Sequence, residues 1–442
     1  MSLGTTPAPG VEQKGDTELR MELNGNRLQQ RLEKLSEFTD PGRPWTRRAF
    51  TDRYTSAREW LQKEMELAGL STRVDAGGNL IGTLAGSEPE LGVLASGSHI
   101  DTVVDGGRYD GVLGVVAALE GVQTIIESGK APRHTLEVID FLSEEPSDYG
   151  VSCVGSRAMS GNLSAELLEY TNPSGERLGD AIQRAGGAPA KLTDALRGED
   201  ELAGFLELHI EQGRVLESTR TQIGVVTNIV GIRRYEIVVT GRADHSGTTP
   251  MNLRKDALVG ASRIVERVSA QARELQPSNG YLVATVGKIS VRPDAANAVP
   301  GEARMTVEVR SDSEERLVNF LEPLITWAEE AVCRRDELRI EVRPLSATHP
   351  TDCAKAIVDT VAKSATGLGF SSMKMPSGAG HDAAHMARLC PTGMLLVPCL
   401  DGRSHCPEES ITMDDAINGA RVLSRALLIL DCATPKGAAR GK

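Results

Sequence analysis

Aromatic residues make up only 3% of this 442-residue chain, so its cores must be filled by Leu, Val, Ile and Ala. No stretch approaches the roughly 18 uninterrupted apolar residues of a membrane-spanning helix, so no membrane partner is expected. A basic excess is missing too. Lys and Arg number 49 against 61 Asp and Glu, a formal net charge of −12, which argues against a nucleic-acid partner. The seven cysteines are scattered, with no C-x-x-C among them. That disfavours a disulfide framework and a thiolate zinc site, and fits reduced, buried thiols in a cytoplasmic protein. The opening residues, "MSLGTTPAPGVEQKGD", lack an apolar core and are expected to be a flexible tail rather than a secretory signal.

What is present is ordinary for a globular protein: 40% hydrophobic and 25% charged residues. The length exceeds what one core usually supports, so two or more domains are expected. From Leu19 to Leu70 the apolar spacing is helical, and Gly69 closes the second helix. Short β-like runs ("GNLIGTLAG", "GVLASGSHIDTV", "HTLEVIDFLSEE") then alternate with helical ones such as "GVVAALEGVQTIIESG". This order predicts an α/β domain with a mixed, largely parallel sheet.

The texture changes near residue 229. Strand, long helix, two strands, a second long helix over "SEERLVNFLEPLITWAEEAVCRR" and a fourth strand follow in turn. That β-α-β-β-α-β order predicts an inserted four-stranded α+β domain with its own core. The expected boundaries are a tail over 1–17, the α/β domain over 18–228 and 343–434, the insert over 229–342, and a tail over 435–442.

Histidines number only eight, and most lie where chemistry would use them. His99 and Asp110 flank a glycine-rich loop after an apolar run. Glu144 and Glu145 end the next apolar run, His209 lies in "LELHIEQG", and His405 in "DGRSHCPEES". An acid pair on a bare surface is ordinarily a solvated edge, and a single strand-end histidine is ordinarily a satisfied polar residue. Taken together, however, His99, Asp110, Glu145, His209 and His405 supply three imidazoles and two carboxylates. That donor set suits zinc-like ions.

With Asp110 bridging, each of two ions would have three protein ligands and an open position for water or hydroxide. Asp101, two residues beyond His99, is expected to accept that histidine's other N–H and fix its tautomer. Glu144, beside a ligand, is the expected general base. His134 and His349 lack such surroundings and are read as structural or surface residues.

Six segments in order, "GSHIDTVVDGGRYDGVLGVVAALEG", "LELHIEQGRVLE", "GRADHSGTTPM", "DAANAVPGEARMTVEVRS", "GAGHDAAHMA" and "SHCPEE", resemble the hydantoinase/carbamoylase amidases. This family of dinuclear-metal enzymes includes N-carbamoyl-L-amino-acid hydrolases, allantoate amidohydrolases and β-ureidopropionases. The resemblance runs from about residue 20 to residue 430. It implies a metallopeptidase-like catalytic domain interrupted by a lid and dimerisation domain, and its ligands and base fall on the residues named above. It further implies that Gln212 contacts the substrate carbonyl region and that Asn297 and Arg310 grip a substrate carboxylate. Gly378, Ala379 and His381, from "GAGHDAAHMA", join the substrate contacts. His245 would reach from the lid into a partner subunit's site to steady the oxyanion, which makes a homodimer the expected assembly.

The implied activity is hydrolysis of a linear C–N amide by metal-bound hydroxide, on the carbamoyl group of an N-carbamoyl amino acid or related ureido acid. Two divalent ions per chain are expected: zinc first, with manganese, cobalt or nickel also compatible. The alternative is a peptidase or N-acyl-amino-acid hydrolase using the same centre; a silent binding protein is a further one. The histidine in "LELHIEQG" resembles the carbamoylase branch, since related dipeptidases and aminoacylases tend to carry a carboxylate there. One segment departs from the family. Many members read Glu-Glu-Gly-x-Arg-Phe, whereas Pro146, Asp148 and Tyr149 occupy those places in "EEPSDYG".

Overall fold

The structure is a computed structural model that describes residues 22–433, apart from Glu199 and residues 277–279. Both expected tails lie outside the described residues, as does Leu19.

Among the described residues the main sheet has nine strands. Across it lie Ser71–Val74, Leu80–Leu84, Thr135–Asp140, Val93–Ser98, Leu202–Ile210, Thr392–Val397, Ile223–Ile229 and Thr351–Asp352, with Ser372–Ser377 also paired to Ile223–Ile229. The four central strands, Thr135–Asp140 to Thr392–Val397, run parallel. All four therefore end on the same side, the side where ligands bind in open α/β sheets.

Helix Val112–Glu127 is apolar almost all round because it is enclosed by the sheet and by helices Gly25–Glu37 and Met413–Cys432. Gly114 lets it lie close to the sheet: a Cβ there would sit 2.3 Å from the Leu208 carbonyl oxygen. Its single charged buried residue, Glu120, is held by Arg27 (2.7 Å) and Arg31 (3.1 Å) from the first helix. A buried carboxylate survives in such surroundings only when paired in this way.

A separate antiparallel sheet of four strands runs Arg339–Thr348, Gly231–Thr240, Glu302–Ser311, Leu282–Arg292. Helix Ala257–Glu274 buries Ala261, Ile264 and Val268 against Ile237, Met305 and Val307, a second core distinct from the first. Its start is set by Asp256, whose carboxylate caps the N–H groups of Leu258 and Val259.

One element departs from expectation. The long helix read over "SEERLVNFLEPLITWAEEAVCRR" is broken into Glu314–Asn319, Leu321–Ala328 and a more loosely wound turn over Glu329–Arg334. Pro323 is the cause. It has no N–H to donate to the carbonyl four residues back, so the helix is interrupted there.

Among the described residues no helix is long and apolar enough to cross a membrane. All seven cysteines are free thiols, and Cys153, Cys353, Cys390 and Cys399 are buried. His134 is a buried partner of Asp431 at 3.1 Å, and His349 pairs with Glu314 at the surface.

Candidate metal centre

The ends of the four parallel strands deliver the expected ligands to one place. His99 follows Val93–Ser98, Glu144 and Glu145 follow Thr135–Asp140, His209 is the penultimate residue of Leu202–Ile210, and His405 lies beyond Thr392–Val397. Asp110 arrives on the loop that enters helix Val112–Glu127.

Gly111 is required there. Its φ is +67°, and a Cβ would lie 2.4 Å from Nε2 of His99. Ser143, Cys153, Gln212 and His405, none of them glycine, also adopt left-handed backbone. Such conformations cost of order 1–3 kcal/mol each and tend to cluster at functional sites.

Among the described residues three groups of side chains could hold an ion: Glu207 with His209 and His381, and two ligand sets that share Asp110. Its Oδ1 lies 3.0 Å from Nε2 of His209 and 3.9 Å from Nε2 of His99. Its Oδ2 lies 3.2 Å from Nε2 of His405, which is itself 3.1 Å from Oε1 of Glu145. Within each set the potential donor atoms fall within 4.8 Å of one another. Nδ1 of His209 donates to the Ile210 carbonyl at 2.9 Å, and Nδ1 of His99 donates to the Asp101 carbonyl at 3.0 Å. A carbonyl can only accept, so both rings turn an unprotonated Nε2 towards the centre when neutral.

Asp101 is used differently from the expectation. Its carboxylate is 3.5 Å from Nδ1 of His99, farther than its own carbonyl, and accepts the N–H groups of Glu144 (3.2 Å) and Glu145 (3.1 Å). The tight turn at Ser143 buries those two donors, and a buried donor needs an acceptor. Asp101 thus orients the segment that carries both the ligand and the candidate base. Glu144 itself has Oε2 3.7 Å from His99 and Oε1 3.3 Å from the Cys153 thiol, which donates to it.

The electrostatics call for cations. Burial pushes the Glu144 carboxyl well above its ordinary range, with His99 opposing and Glu145 adding to the rise. Against the penalty of burial, His99 is held well above its usual value by Asp101, Glu144 and Asp110. His405 is pushed up to about 11 by Asp110 and Glu145. Buried carboxylates this dense need compensating positive charge. The donor set of imidazole nitrogens and carboxylate oxygens fits one divalent ion at each set.

The substrate contacts implied by resemblance are distributed unevenly. Gln212 belongs to the cluster: its amide donates to Oδ2 of Asp110 at 2.7 Å, while its Oε1 is buried with no partner among the described residues. His381 is buried 4.6 Å, ring to ring, from His209 and bonds Ser377 at 2.7 Å. Burial and the neighbouring His209 hold it neutral.

Arg310 reaches across from the four-stranded domain and donates to the Gly378 carbonyl at 2.9 Å; Ala379 is next in the same loop, its N–H 3.4 Å from Ser377. His245 and Asn297 stand apart. They lie on adjoining exposed segments of the insert, joined by the Ser246 N–H to the Asn297 carbonyl at 3.0 Å. Among the described residues no hydrogen bond or ion pair ties either to the cluster of its own chain.

Reading the sequence alone missed three acids. Glu207 lies two residues before His209 in the same strand, hence on the same face, and holds Ser98 (2.7 Å) and the Ala383 N–H (3.1 Å). Asp382 is buried against Ser156 at 2.5 Å, and Glu409 sits against the Asp110 loop. For Glu207 the strand alternation was an available signal. Asp382 and Glu409 lie within "GAGHDAAHMA" and "SHCPEE", but no spacing there sets them apart from the neighbouring histidines.

The divergent loop is also tied down. Asp148 pairs with Arg48, and Tyr149 donates to Glu176 at 2.6 Å while its ring meets Phe50 edge-on at 5.4 Å.

Comparison with known proteins agrees with this geometry. Residues 95–429 match peptidase family M20/M25/M40. An N-carbamoyl-L-amino-acid amidohydrolase from Paenarthrobacter aurescens is 39% identical over 92% of this chain and 98% of the relative. A ureidoglycolate hydrolase from Arabidopsis thaliana is 36% identical over 90% of this chain and 85% of the relative. Among solved structures, an amidase of the hydantoinase/carbamoylase family from Burkholderia multivorans matches with a TM-score of 0.86 at 33% identity, covering 93% of this chain and 99% of that one. With its two ligand sets sharing one aspartate, the chain belongs to peptidase family M20/M25/M40, on the hydantoinase/carbamoylase amidase branch.

Proposed function

We propose that the chain hydrolyses the carbamoyl (ureido) group of an N-carbamoyl amino acid or related ureido acid, releasing ammonia. The observation that carries this reading is Asp110, whose two oxygens face separate ligand sets beside the half-buried Glu144. The kinds of substrate named for its relatives supply the chemical class. Two divalent ions, one held by His99, Asp110 and His209 and the other by Asp110, Glu145 and His405, would polarise the scissile carbonyl and acidify a water.

The chain's own groups do the rest. Glu144 takes the proton of the attacking water and hands it to the leaving nitrogen. Arg310 binds the substrate carboxylate with its planar fork, assisted by Asn297. Gln212 and the Gly378–His381 loop orient the carbonyl end.

His245 donates to the developing oxyanion from the lid of a second subunit, which makes the working unit a homodimer. Its Nδ1 accepts the Gly247 N–H at 3.0 Å, which leaves Nε2 as the donor.

The test is a substrate panel assayed by ammonia release, on protein loaded separately with zinc, manganese, cobalt and nickel. N-carbamoyl amino acids and other ureido acids should be turned over well above dipeptides and N-acyl amino acids. The reverse preference would overturn the substrate class.

A further inference from the structure

Glu409 carries no role in the chemistry above, yet it is only 2% exposed and is aimed at the shared ligand. Its Oε1 accepts the backbone N–H groups of Tyr109 (2.8 Å) and Asp110 (3.1 Å). Its Oε2 accepts the Ser404 hydroxyl at 2.8 Å, and that hydroxyl also lies 3.0 Å from Oδ2 of Asp110. The opposing backbone is shaped to admit the carboxylate, since a Cβ on Gly107 would come within 1.9 Å of it. Glu409 belongs to the same turn as His405, its N–H bonded to the Cys406 carbonyl at 3.0 Å. One short turn thus delivers a ligand to the second set and grips the residue common to both.

We infer that Glu409 is a positioning residue for the dinuclear centre, fixing Asp110 through its backbone N–H groups and, by way of Ser404, through its Oδ2. An apolar side chain would leave two buried N–H donors without an acceptor and would free the loop that presents Asp110. Because Asp110 serves both ion positions, a fault at Glu409 is felt at both, although neither ion would touch Glu409. The inference rests on the dinuclear reading of the site.

The test is metal binding by equilibrium titration of metal-free protein with cobalt, read by visible absorption, and with zinc in competition with a chromophoric chelator. Wild type should take up two equivalents. Glu409→Ala should weaken both by about 10–100-fold and alter the cobalt spectrum, the usual consequence of losing a group that orients a ligand. Glu409→Gln, whose amide oxygen accepts the same two N–H groups, should recover most of that loss.

Ser404→Ala removes the hydroxyl that joins Oε2 of Glu409 to Oδ2 of Asp110, leaves the two N–H contacts of Glu409 in place, and should weaken binding by about tenfold. It decides the matter if Glu409→Ala does not fold. A folded Glu409→Ala or Ser404→Ala protein with both affinities and the cobalt spectrum of wild type would overturn the positioning role alone. Wild type that takes up fewer than two equivalents would overturn the dinuclear reading, and this inference with it.

Discussion

Asp110 directs Oδ1 at Nε2 of His209, 3.0 Å away, and in doing so turns Oδ2 to the opposite side of the site. There it meets His405 at 3.2 Å. A carboxylate held in this way can serve two ions without moving. Metal analysis of reconstituted protein should approach two equivalents per chain. Asp110→Ala should lose both ions together rather than one, because each set loses its shared member. Wild type with full activity on a single tight equivalent would remove the bridging role.

Glu144 is a half-buried acid next to ligand Glu145, 3.7 Å from His99, and belongs to neither of the ligand sets that share Asp110. Glu144→Gln keeps the size and hydrogen-bonding capacity of the side chain but cannot take a proton from water. We expect metal content to stay at the wild-type level while kcat drops by about 10²–10⁴, the usual worth of general acid–base catalysis. Near-normal turnover with intact metal content would assign the base elsewhere.

Much of the ligand set could be read from sequence because His99, Glu145 and His209 lie at or just beyond the ends of apolar runs, and parallel strands bring such ends together. "HTLEVID" becomes Thr135–Asp140, and the acids just beyond it reach the site of His99 for that reason. Glu409 could not be found in this way. The N–H groups it accepts belong to residues 109 and 110, remote in the chain, and "PEES" on its own resembles a solvated turn. Asp101 shows a subtler limit. Its importance was legible, but its partners were not, because they depend on which backbone donors the Ser143 turn buries. Pro323 was a visible helix breaker that the strong apolar periodicity around it outweighed in the reading.

His385 gives the fold a specific acid sensitivity. Burial, with Arg157 and Arg388 nearby, lowers its pKa from 6.5 to about 4. The unfolded chain therefore binds a proton at this residue between about pH 6.5 and pH 4 that the folded chain refuses. The contribution of His385 to stability falls as pH is lowered through that window and levels off below it. Replacing His385 by Asn should make thermal stability less pH-dependent there. Relative to its value at pH 8, the variant should gain of order 1 kcal/mol over wild type by pH 4.5, about 2–4 °C in melting temperature. Parallel melting curves for the two proteins across the window would show that His385 is not the group responsible.

The last prediction concerns His245, which is exposed on the inserted domain and, among the described residues, has no bond to the cluster of its own chain. An imidazole has too short a stem to cross a gap by itself, so a whole domain must deliver it, and the proposal assigns that task to the partner. A mixture of His245→Ala and Glu144→Gln chains then has a defined outcome. In a hybrid dimer, one site combines the Glu144→Gln base with the histidine-less lid and is doubly defective. The other combines an intact base with an intact lid and is whole. Equal mixing makes about half of the dimers hybrids, each with one working site of two, so activity should return to about a quarter of wild type. Each parent protein alone should remain nearly inactive. If subunit exchange is demonstrated by mass and no activity returns, His245 acts within its own chain or not at all, and the dimer then has no catalytic purpose.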